Sequence, residues 1–244
     1  MMESIKRRIG DPMKSYTPPA IKEGAKIAAF KRGKVFKGLT AGQIKRIAST
    51  STLLRVPKGS YLFYDGDPAE KFYIVHSGYV KLYKISASGR ILNFFFATTG
   101  DTLNASAVSI ENYFMSAQAM TDVIVAAVPK SRYLAFVADH ASVAMEIISA
   151  IARRLSLEQQ RTVDLAGEAV ETRIIKSLFE LASRLGNTLL LTREELASFV
   201  GTTTETAIRV LSHLKKQGII ADNAGKGEIV IADMKKLARS ARGL

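Results

Sequence analysis

The chain of 244 residues contains no cysteine and no tryptophan, and it has only three histidines and six prolines. Without cysteine it can form neither a disulfide nor a thiolate sensor, and it cannot hold a cysteine-ligated iron–sulfur cluster. No apolar run approaches the roughly 18 residues that a membrane-spanning helix requires. The N-terminus also lacks the apolar segment of a secretory signal peptide. We therefore expect neither secretion nor a membrane partner.

Positive charge is concentrated at the two ends of the chain, which carries a formal net charge of +13. Residues 1–38 hold 10 Lys/Arg and 3 Asp/Glu, residues 39–172 hold 13 and 12, and residues 173–244 hold 12 and 7. A basic C-terminal third suits the neutralisation of nucleic-acid phosphates. Residues 1–34 are interpreted as a basic extension with at most one short helix near 20–30. This extension is either a solvated arm or a segment that lies on DNA or on a partner subunit.

Residues 192–218 have the pattern of two helices joined by a tight turn. Thr192 and Glu195 have the spacing of a capping box, which predicts the start of a helix. Gly201 suits a turn that needs a positive φ. Thr202 or Thr203 then caps a second helix. The apolar residues of that helix follow the i, i+3, i+4, i+7 spacing of a single face: Ala207, Val210, Leu211 and Leu214. The pattern is typical of a helix-turn-helix.

The opposite face of this second helix is suited to reading DNA bases in the major groove. Arg209 can donate two hydrogen bonds to guanine, and Glu205 can accept one from cytosine. In the alternative interpretation, Glu205 closes a capping box with Thr202 and forms a surface ion pair with Arg209. Ile219-Ile220 and residues 229–231 bracket a turn at 222–227, which predicts a wing with Lys226 at its tip. The expected DNA contacts are Thr203, Thr204, Glu205, Ile208, Arg209, Ser212 and Lys226.

Residues 53–128 read as short strands separated by turns. The turn signals are glycines spaced 7 to 12 residues apart, namely Gly59, Gly66, Gly78, Gly89 and Gly100. Between them lie segments rich in Leu, Val, Ile, Tyr and Phe, which indicates a small antiparallel jelly roll. We assign a β-roll domain to residues 35–138.

Residues 139–165 predict one long helix. One stripe of this helix, here called the seam, alternates spacings of 3 and 4 and is apolar except at two positions, Glu158 and Thr162. It consists of Ile148, Ile151, Leu155, Glu158, Thr162 and Leu165. The seam indicates either a dimerising coiled coil or a stripe that packs on the roll. A hinge is expected at 165–167, so residues 139–166 are assigned to a dimerisation helix and hinge. Residues 167–244, with a further helix at 170–185, form the predicted winged helix-turn-helix domain.

These motifs resemble the cyclic-AMP receptor protein / fumarate–nitrate reductase regulator (CRP/FNR) superfamily. Its pattern Gly-x-(Ser/Thr)-x-Glu-Thr-x-x-Arg-x-Leu is matched by Gly201, Thr203, Glu205, Thr206, Arg209 and Leu211. The string of turns from Gly59 to Asp101 resembles its cyclic-nucleotide-binding β-roll, so the resemblance covers roughly residues 35–235. The residue before Glu205 is Thr204, where the cyclic-AMP branch has Arg, and the extra guanine contact of that branch is not expected.

The resemblance implies the fold and the function. The fold class is α+β, with an N-terminal jelly-roll-like β-roll, a long dimerisation helix and a C-terminal winged helix-turn-helix. The function implied is that of a homodimeric, cytoplasmic transcription regulator that binds an inverted repeat in double-stranded DNA and acts with RNA polymerase. No enzyme activity is expected. The alternative function is an effector-independent DNA-binding protein with a vestigial roll.

The effector of the roll is not expected to be cyclic AMP. Relatives that bind cyclic nucleotide use a Gly-Glu pair and an Arg-Ser pair, which read Asn104-Ala105 and roughly Met115-Ser116 here. A buried phosphate would therefore lack its charge partner. We expect a less polar small molecule or no ligand, and neither a metal nor another cofactor. The candidate lining residues are Phe94, Phe96, Asn104, Phe114, Met115 and Glu158, although the aromatic ones would equally suit a plain roll core.

Overall fold

The computed structural model describes residues 23–105, 109–221, 225 and 227–243. These residues fall into two compact units. The first comprises the described residues up to Lys84 together with Phe95–Ala152. The second comprises Ile85–Phe94 and the described residues from Arg153 onward.

The roll consists of antiparallel strands that follow one another through glycine turns. In chain order they are β1 (Thr52–Val56), β2 (Tyr61–Phe63), β3 (Lys71–Ser77), β4 (Val80–Ile85), β5 (Ile91–Ala97), β6 (Thr102–Leu103), β7 (Ser116–Ala119) and β8 (Val123–Pro129). One sheet has the order β1-β8-β3-β6 and the other β2-β7-β4-β5. The five predicted turn glycines all have φ between 82° and 90°, a range that favours glycine.

Strand β3 explains how the roll is filled, because successive side chains point to opposite faces of a sheet. Phe72 and Ile74 belong to a core cluster shared with the helices of this unit. Tyr73 and Val75 belong to a second cluster, which also contains residues of the other sheet. Strand β3 therefore reads as a nearly continuous apolar run, since both of its faces are covered.

Helices cover the outer face of that sheet. They are α1 (Glu23–Arg32), α2 (Ala41–Ser49), α3 (Lys130–Ala138) and the first part of α4 (Ala141–Gly167). Helix α2 begins with a capping box in which Thr40 and Gln43 satisfy each other's backbone N–H groups.

Helix α1 lies within the predicted basic extension but is packed against the roll. Ala29 and Phe30 are fully buried in the first core cluster. After the helix, Nζ of Lys34 pairs with Oδ1 of Asp101 at 2.6 Å, and the Lys34 N–H donates to the Gly100 carbonyl. The expectation of a solvated arm, or of an arm on DNA or a partner, is thus wrong for residues 23–34. Residues 1–22 lie outside the described residues.

Helix α4 begins and ends close to the predicted bounds of the long helix. The sequence did not indicate that α3 precedes it as a separate helix. Val143 and Ile147 at the start of α4 are buried in the roll core, but the apolar residues of the seam remain exposed. Ile148, Leu155 and Leu165 remain 57%, 57% and 55% exposed. The interpretation that the seam packs on the roll is therefore wrong for these three residues.

The second unit contains α5 (Val170–Leu185), β9 (Thr188–Leu189), α6 (Arg193–Val200), α7 (Thr204–Lys216), β10 (Ile229–Val230) and α8 (Met234–Ala241). Its core is formed by aliphatic residues from these elements and from the segment after α7, among them Ile174, Leu178, Leu181, Leu189, Leu196, Leu214, Ile219 and Leu237. Strand β10 pairs antiparallel with β9.

Within the described part of the chain, no helix on its own is long and apolar enough to cross a membrane. The pair α3 and α4 meets the criteria of length and composition only when the two helices, bent by 112°, are taken together.

Candidate functional site

Helices α6 and α7 form the predicted helix-turn-helix. The Glu195 N–H donates to Oγ1 of Thr192 at 3.1 Å, and the Thr192 N–H donates back to Oε2 of Glu195 at 2.9 Å. Gly201 ends α6 with φ 73°, a left-handed conformation that suits glycine. The capping box and the glycine turn are thus both confirmed.

Helix α7 is capped by Thr203, whose Oγ1 accepts from the Thr206 N–H. Thr206 is therefore the third residue of the helix, and Glu205 is not the capping-box partner of Thr202. Among the described residues neither Glu205 nor Arg209 makes an ion pair. Both parts of the alternative interpretation of Glu205 are wrong, and its carboxylate remains available.

The two faces of α7 divide as the spacing predicts. Its apolar face is buried, with Ala207 and Leu214 fully so. The opposite face carries the predicted DNA contacts: Thr203, Glu205, Ile208, Arg209 and Ser212 are exposed, and Thr204 is half-buried. Glu205 and Arg209 lie one helical turn apart on this exposed face. The first turn of α7 therefore presents an acceptor and a bidentate donor to a ligand.

The wing is described only in part. Ile220 and Ile231 form an isolated antiparallel bridge, and the Ala221 N–H donates to the Val230 carbonyl at 2.9 Å. The two flanks of the predicted turn are thus held together. Lys226 and residues 222–224 lie outside the described residues.

The candidate effector residues are not all brought together. Phe94 and Glu158 line one cavity in the second unit. The other four belong to the first unit: Phe96 is 1% exposed, Met115 packs partly buried against the second core cluster, and Phe114 is 48% exposed. Asn104, in a left-handed conformation with φ 62°, donates from Nδ2 to the Lys71 carbonyl. Phe96 fits the alternative of a plain core residue, and the exposure of Phe114 does not suit a lining role.

Residues Ile85–Phe94, here called the hairpin arm, are bonded to the first helix of the helix-turn-helix. The Asn93 N–H donates to Oγ of Ser198 at 3.1 Å, and that hydroxyl donates to the Ile91 carbonyl at 2.7 Å. Nδ2 of Asn93 donates to the Glu195 carbonyl at 3.1 Å. Two side chains therefore fix helix α6 to the arm.

Arg161 of α4 connects four elements of the second unit. Nη1 of its guanidinium donates to the Phe94 carbonyl at 3.0 Å and to Glu158 at 2.8 Å, and Nη2 donates to both carboxylate oxygens of Glu180 in α5 at 2.8 Å. It also lies over the ring of Phe199 in α6. A planar guanidinium is suited to this combination of forked hydrogen bonds and stacking.

A second ionic cluster joins α4 to α5. Nζ of Lys176 lies 2.9 Å from Oδ1 of Asp164 and 2.9 Å from Oε1 of Glu168. Burial acts to raise the pKa of Asp164, but hydrogen bonds from Lys176 and Gln160 outweigh it and hold this pKa below its ordinary value. The same carboxylates raise the pKa of Lys176.

The cavity lined by Phe94 and Glu158 has a volume of about 180 Å³. Its walls come from the hairpin arm and from α4, α5 and α6, all within the second unit. Apolar, polar and charged side chains line it, among them Leu165, Asn93, Arg161 and Arg173.

Comparison with known proteins agrees with this arrangement of elements. The family model of the Crp-like helix-turn-helix domain matches residues 172–240, and that of the cyclic nucleotide-binding domain matches residues 53–140. The CRP-like cAMP-activated global transcriptional regulator of Mycobacterium tuberculosis is 27% identical over 220 residues, which cover 86% of this chain and 97% of that protein.

A second relative and a solved structure are similar to this chain over most of its length. The nitrogen fixation regulation protein FixK of Azorhizobium caulinodans is 27% identical over 216 residues, covering 83% of this chain and 86% of FixK. The solved structure of FixK2 from Bradyrhizobium japonicum superposes with a TM-score of 0.69 at 26% identity, covering 78% of this chain and 96% of FixK2. The chain belongs to the CRP/FNR superfamily.

Membership of the CRP/FNR superfamily confirms the α+β fold class and identifies the chain as a transcription regulator with a helix-turn-helix. Its relatives are transcription regulators rather than enzymes, which confirms that the chain is not an enzyme.

Aromatic side chains stack on one another in the core of the roll of this CRP/FNR protein. The rings of Phe63 and Tyr113 stack with centroids 3.9 Å apart, and Phe63 also stacks on Tyr73. The Tyr113 hydroxyl donates to the Lys71 carbonyl at 3.0 Å. Burial, and secondarily Tyr113, raises the pKa of Tyr73, so its hydroxyl stays neutral. These rings pack on one another within the range of residues that matches the cyclic nucleotide-binding domain of the family.

Sequence reasoning missed Asn93, Arg161 and Ser198. Asn93 and Ser198 are 105 positions apart, and no local pattern pairs residues at that separation. One signal was present for Asn93: it is an amide in the middle of an otherwise apolar strand, and a buried amide needs a specific partner.

Proposed function

We propose that the protein is a homodimeric, cytoplasmic regulator of transcription that reads an inverted repeat in double-stranded DNA through α7 and responds to a small effector other than cyclic AMP. RNA polymerase is the expected further partner. The observation that carries the proposal is the exposed face of α7, on which Glu205 and Arg209 lie one turn apart and have no ion-pair partner in the described part of the chain.

The dimer is supported by the exposed apolar residues of α4. They include the seam residues Ile148, Ile151, Leu155 and Leu165, together with Met145 and Val163. Such a stripe on a helix of 27 residues is costly to leave in water and is suited to pairing with a second copy. Two copies of α7 in a dimer would enter successive major grooves about 34 Å apart.

The domain limits proposed are 35–138 for the roll, 139–166 for the dimerisation helix and hinge, and 167–244 for the winged helix-turn-helix, with residues 1–34 as an N-terminal extension whose helix α1 packs on the roll. Within the last domain, we assign base contacts to Glu205 and Arg209. Contacts to the backbone or to thymine methyl groups are assigned to Thr203, Thr204, Ile208, Ser212 and Lys226.

An effector other than cyclic AMP is supported by the residues at the family's nucleotide positions. Ala105 and Met115 stand where relatives that bind cyclic nucleotide have the Glu and the Arg, so neither side chain can bond the ribose hydroxyl or pair with the cyclic phosphate. Cyclic AMP bound there would leave its phosphate without a charge partner from these two positions.

A second candidate function is an effector-independent DNA-binding protein. The observation that favours it is the ring stacking of Phe63 on Tyr113 and Tyr73, because a roll filled by its own side chains needs no ligand. DNA affinity that no small molecule alters would support this candidate.

The experiment that tests the proposal is selection of binding sites from random duplex DNA by the purified protein. We expect the selected sequences to form an inverted repeat with a G·C pair in each half-site. The Arg209→Ala variant should lose about 1–3 kcal/mol of discrimination at that pair. Lys235→Ala, an exposed residue of α8, serves as the matched loss of one positive charge. Unchanged discrimination in Arg209→Ala would show that α7 does not read the operator as proposed.

A further inference from the structure

The cavity of the second unit is bounded by side chains whose polar atoms are incompletely bonded. Asn93 is 5% exposed, and its Oδ1 has no hydrogen-bond partner among the described residues. Nε of Arg161 and Nε of Arg173 are likewise buried without a partner. Buried polar groups in native proteins are nearly always hydrogen-bonded, so three such atoms on residues around one cavity require an explanation.

The orientation of the Asn93 amide is fixed by its surroundings. Its Nδ2 donates to the Glu195 carbonyl, and the opposite orientation would place two oxygens against each other. Oδ1 is therefore the atom that lacks a partner, and it requires a donor. The cavity that Asn93 lines is the place where such a donor can lie.

The lining of the cavity defines the charge and polarity of a ligand. Arg161 and Arg173 contribute two positive charges, and Glu158 and Asp164 contribute two negative charges. The formal sum is zero, so a ligand without net charge is favoured. The unpartnered Nε donors of Arg161 and Arg173 suit a carboxylate, and the unpaired Oδ1 of Asn93 suits an ammonium or another N–H donor. Phe94, Leu165 and Phe199 add apolar walls.

The volume of the cavity limits the size of the ligand. About 180 Å³ holds some six water molecules at roughly 30 Å³ each. Cavities for drug-sized ligands measure about 300–1,000 Å³, so a ligand smaller than a nucleotide is favoured. A small molecule with one carboxylate, one ammonium and a short hydrocarbon side chain satisfies charge, polarity and volume together.

We propose that this cavity binds an aliphatic α-amino acid in its zwitterionic form. Its carboxylate lies toward Arg161 and Arg173, its ammonium toward Asn93, and its side chain toward Phe94 and Leu165. The proposal that an amino acid binds here depends only on the cavity and its lining residues. That the amino acid is the effector rests on the proposed function, because the hairpin arm and α6 both form walls of the cavity.

The experiment is titration calorimetry of the full-length protein with L-alanine, L-valine and L-leucine in turn. We expect saturable binding of at least one. Two analogues of the binder, one lacking the ammonium and one lacking the carboxylate, should bind at least about tenfold more weakly, because each loses a charge-assisted hydrogen bond. Absence of saturable heat with all three amino acids, or equal affinity for the analogues, would overturn the proposal.

Two variants locate the binding. Asn93→Leu removes the amide at nearly constant volume, and Arg173→Met removes one guanidinium of the lining. Each should weaken binding about tenfold or more, while Lys235→Met on the exposed face of α8 leaves it unchanged. A melting transition measured for each variant confirms folding, and Arg173→Met serves if Asn93→Leu does not fold. Binding that is unchanged in the folded variants would place the ligand elsewhere and overturn the assignment.

DNA binding is measured separately with the duplex selected in the preceding experiment. Amino-acid binding that leaves DNA affinity unchanged supports the cavity as a binding site and removes the effector role from the proposed function. If the protein selects an inverted repeat from random DNA but binds no amino acid, the cavity proposal is overturned and the assignment of α7 as the DNA-reading helix is unaffected.

Discussion

The guanidinium carbon of Arg161 lies 4.0 Å from the centre of the Phe199 ring. Arg161 belongs to the long helix α4, and Phe199 belongs to the first helix of the helix-turn-helix. The same guanidinium is paired with Glu158 and Glu180. One side chain thus joins the helix that carries the seam to the element that positions the DNA-reading helix.

Replacing Arg161 by Ala should lower the free energy of unfolding by about 2 kcal/mol. The change removes the stacking on Phe199 and leaves Glu180, whose side chain is only 24% exposed, without its cation. Urea unfolding at fixed protein concentration measures the loss. Arg209→Ala, at an exposed and unpaired position, should change stability by less than about 0.5 kcal/mol. Equal stabilities of the two variants would show that the Arg161 contacts contribute nothing.

Replacing Leu155 by Glu should convert the dimer to a monomer. Leu155 lies at the centre of the seam and is 57% exposed in the single chain. A charge there would have to be buried against the partner helix. Sedimentation velocity measures the oligomeric state. Leu157→Glu is the matched control, because Leu157 lies roughly 200° further round the same helix and should remain dimeric. A monomeric wild-type protein would contradict the seam assignment outright.

Replacing Gly201 by Ala should destabilise the protein by about 1 kcal/mol, because a left-handed residue with a Cβ is strained. The new methyl would also contact Cδ1 of Leu165 at 3.4 Å. Thermal unfolding is the measurement. Gly42→Ala in α2, where the added Cβ meets open space, should instead be neutral or stabilising. A neutral Gly201→Ala variant would mean that the turn adopts another conformation.

The ion pair of Asp164 and Lys176 should make stability depend on pH at both extremes. The pKa of Asp164 is held below its ordinary value of 3.8, so its contribution is present above pH 3.8 and is lost as the pH falls through the lower folded value. The pKa of Lys176 is raised above 10.5, so its contribution is present below pH 10.5 and is lost as the pH rises. Unfolding free energies measured across both ranges should be flatter in Asp164→Asn. If the wild-type protein and Asp164→Asn gave curves of identical shape, this ion pair would be excluded as a source of the pH dependence of stability.

Short sequence patterns correctly predicted the elements that depend on residues close together in the chain. The caps at Thr192 and Thr203, the turn at Gly201 and the buried face of α7 depend on residues within four positions of one another. The strands of the roll were equally accessible, because glycine turns punctuate them at regular spacing.

The remaining features depend on contacts between residues far apart in sequence. The packing of Phe30 in the roll core and the bond from Asn93 to Ser198 exist only once the chain is folded. The effector candidates were predicted as one group from the family's pattern. Only Phe94 and Glu158 line the same cavity, because backbone pairing places the other four in the first unit.

The hairpin arm has a consequence for dissecting the protein. Since Ile85–Phe94 folds with the residues from Arg153 onward, the DNA-reading half is discontinuous in the chain. A fragment that starts at residue 167 would leave Ser198 and Phe199 without Asn93 and Arg161. Exchanging this half between relatives would accordingly require transplanting two separate stretches of sequence together.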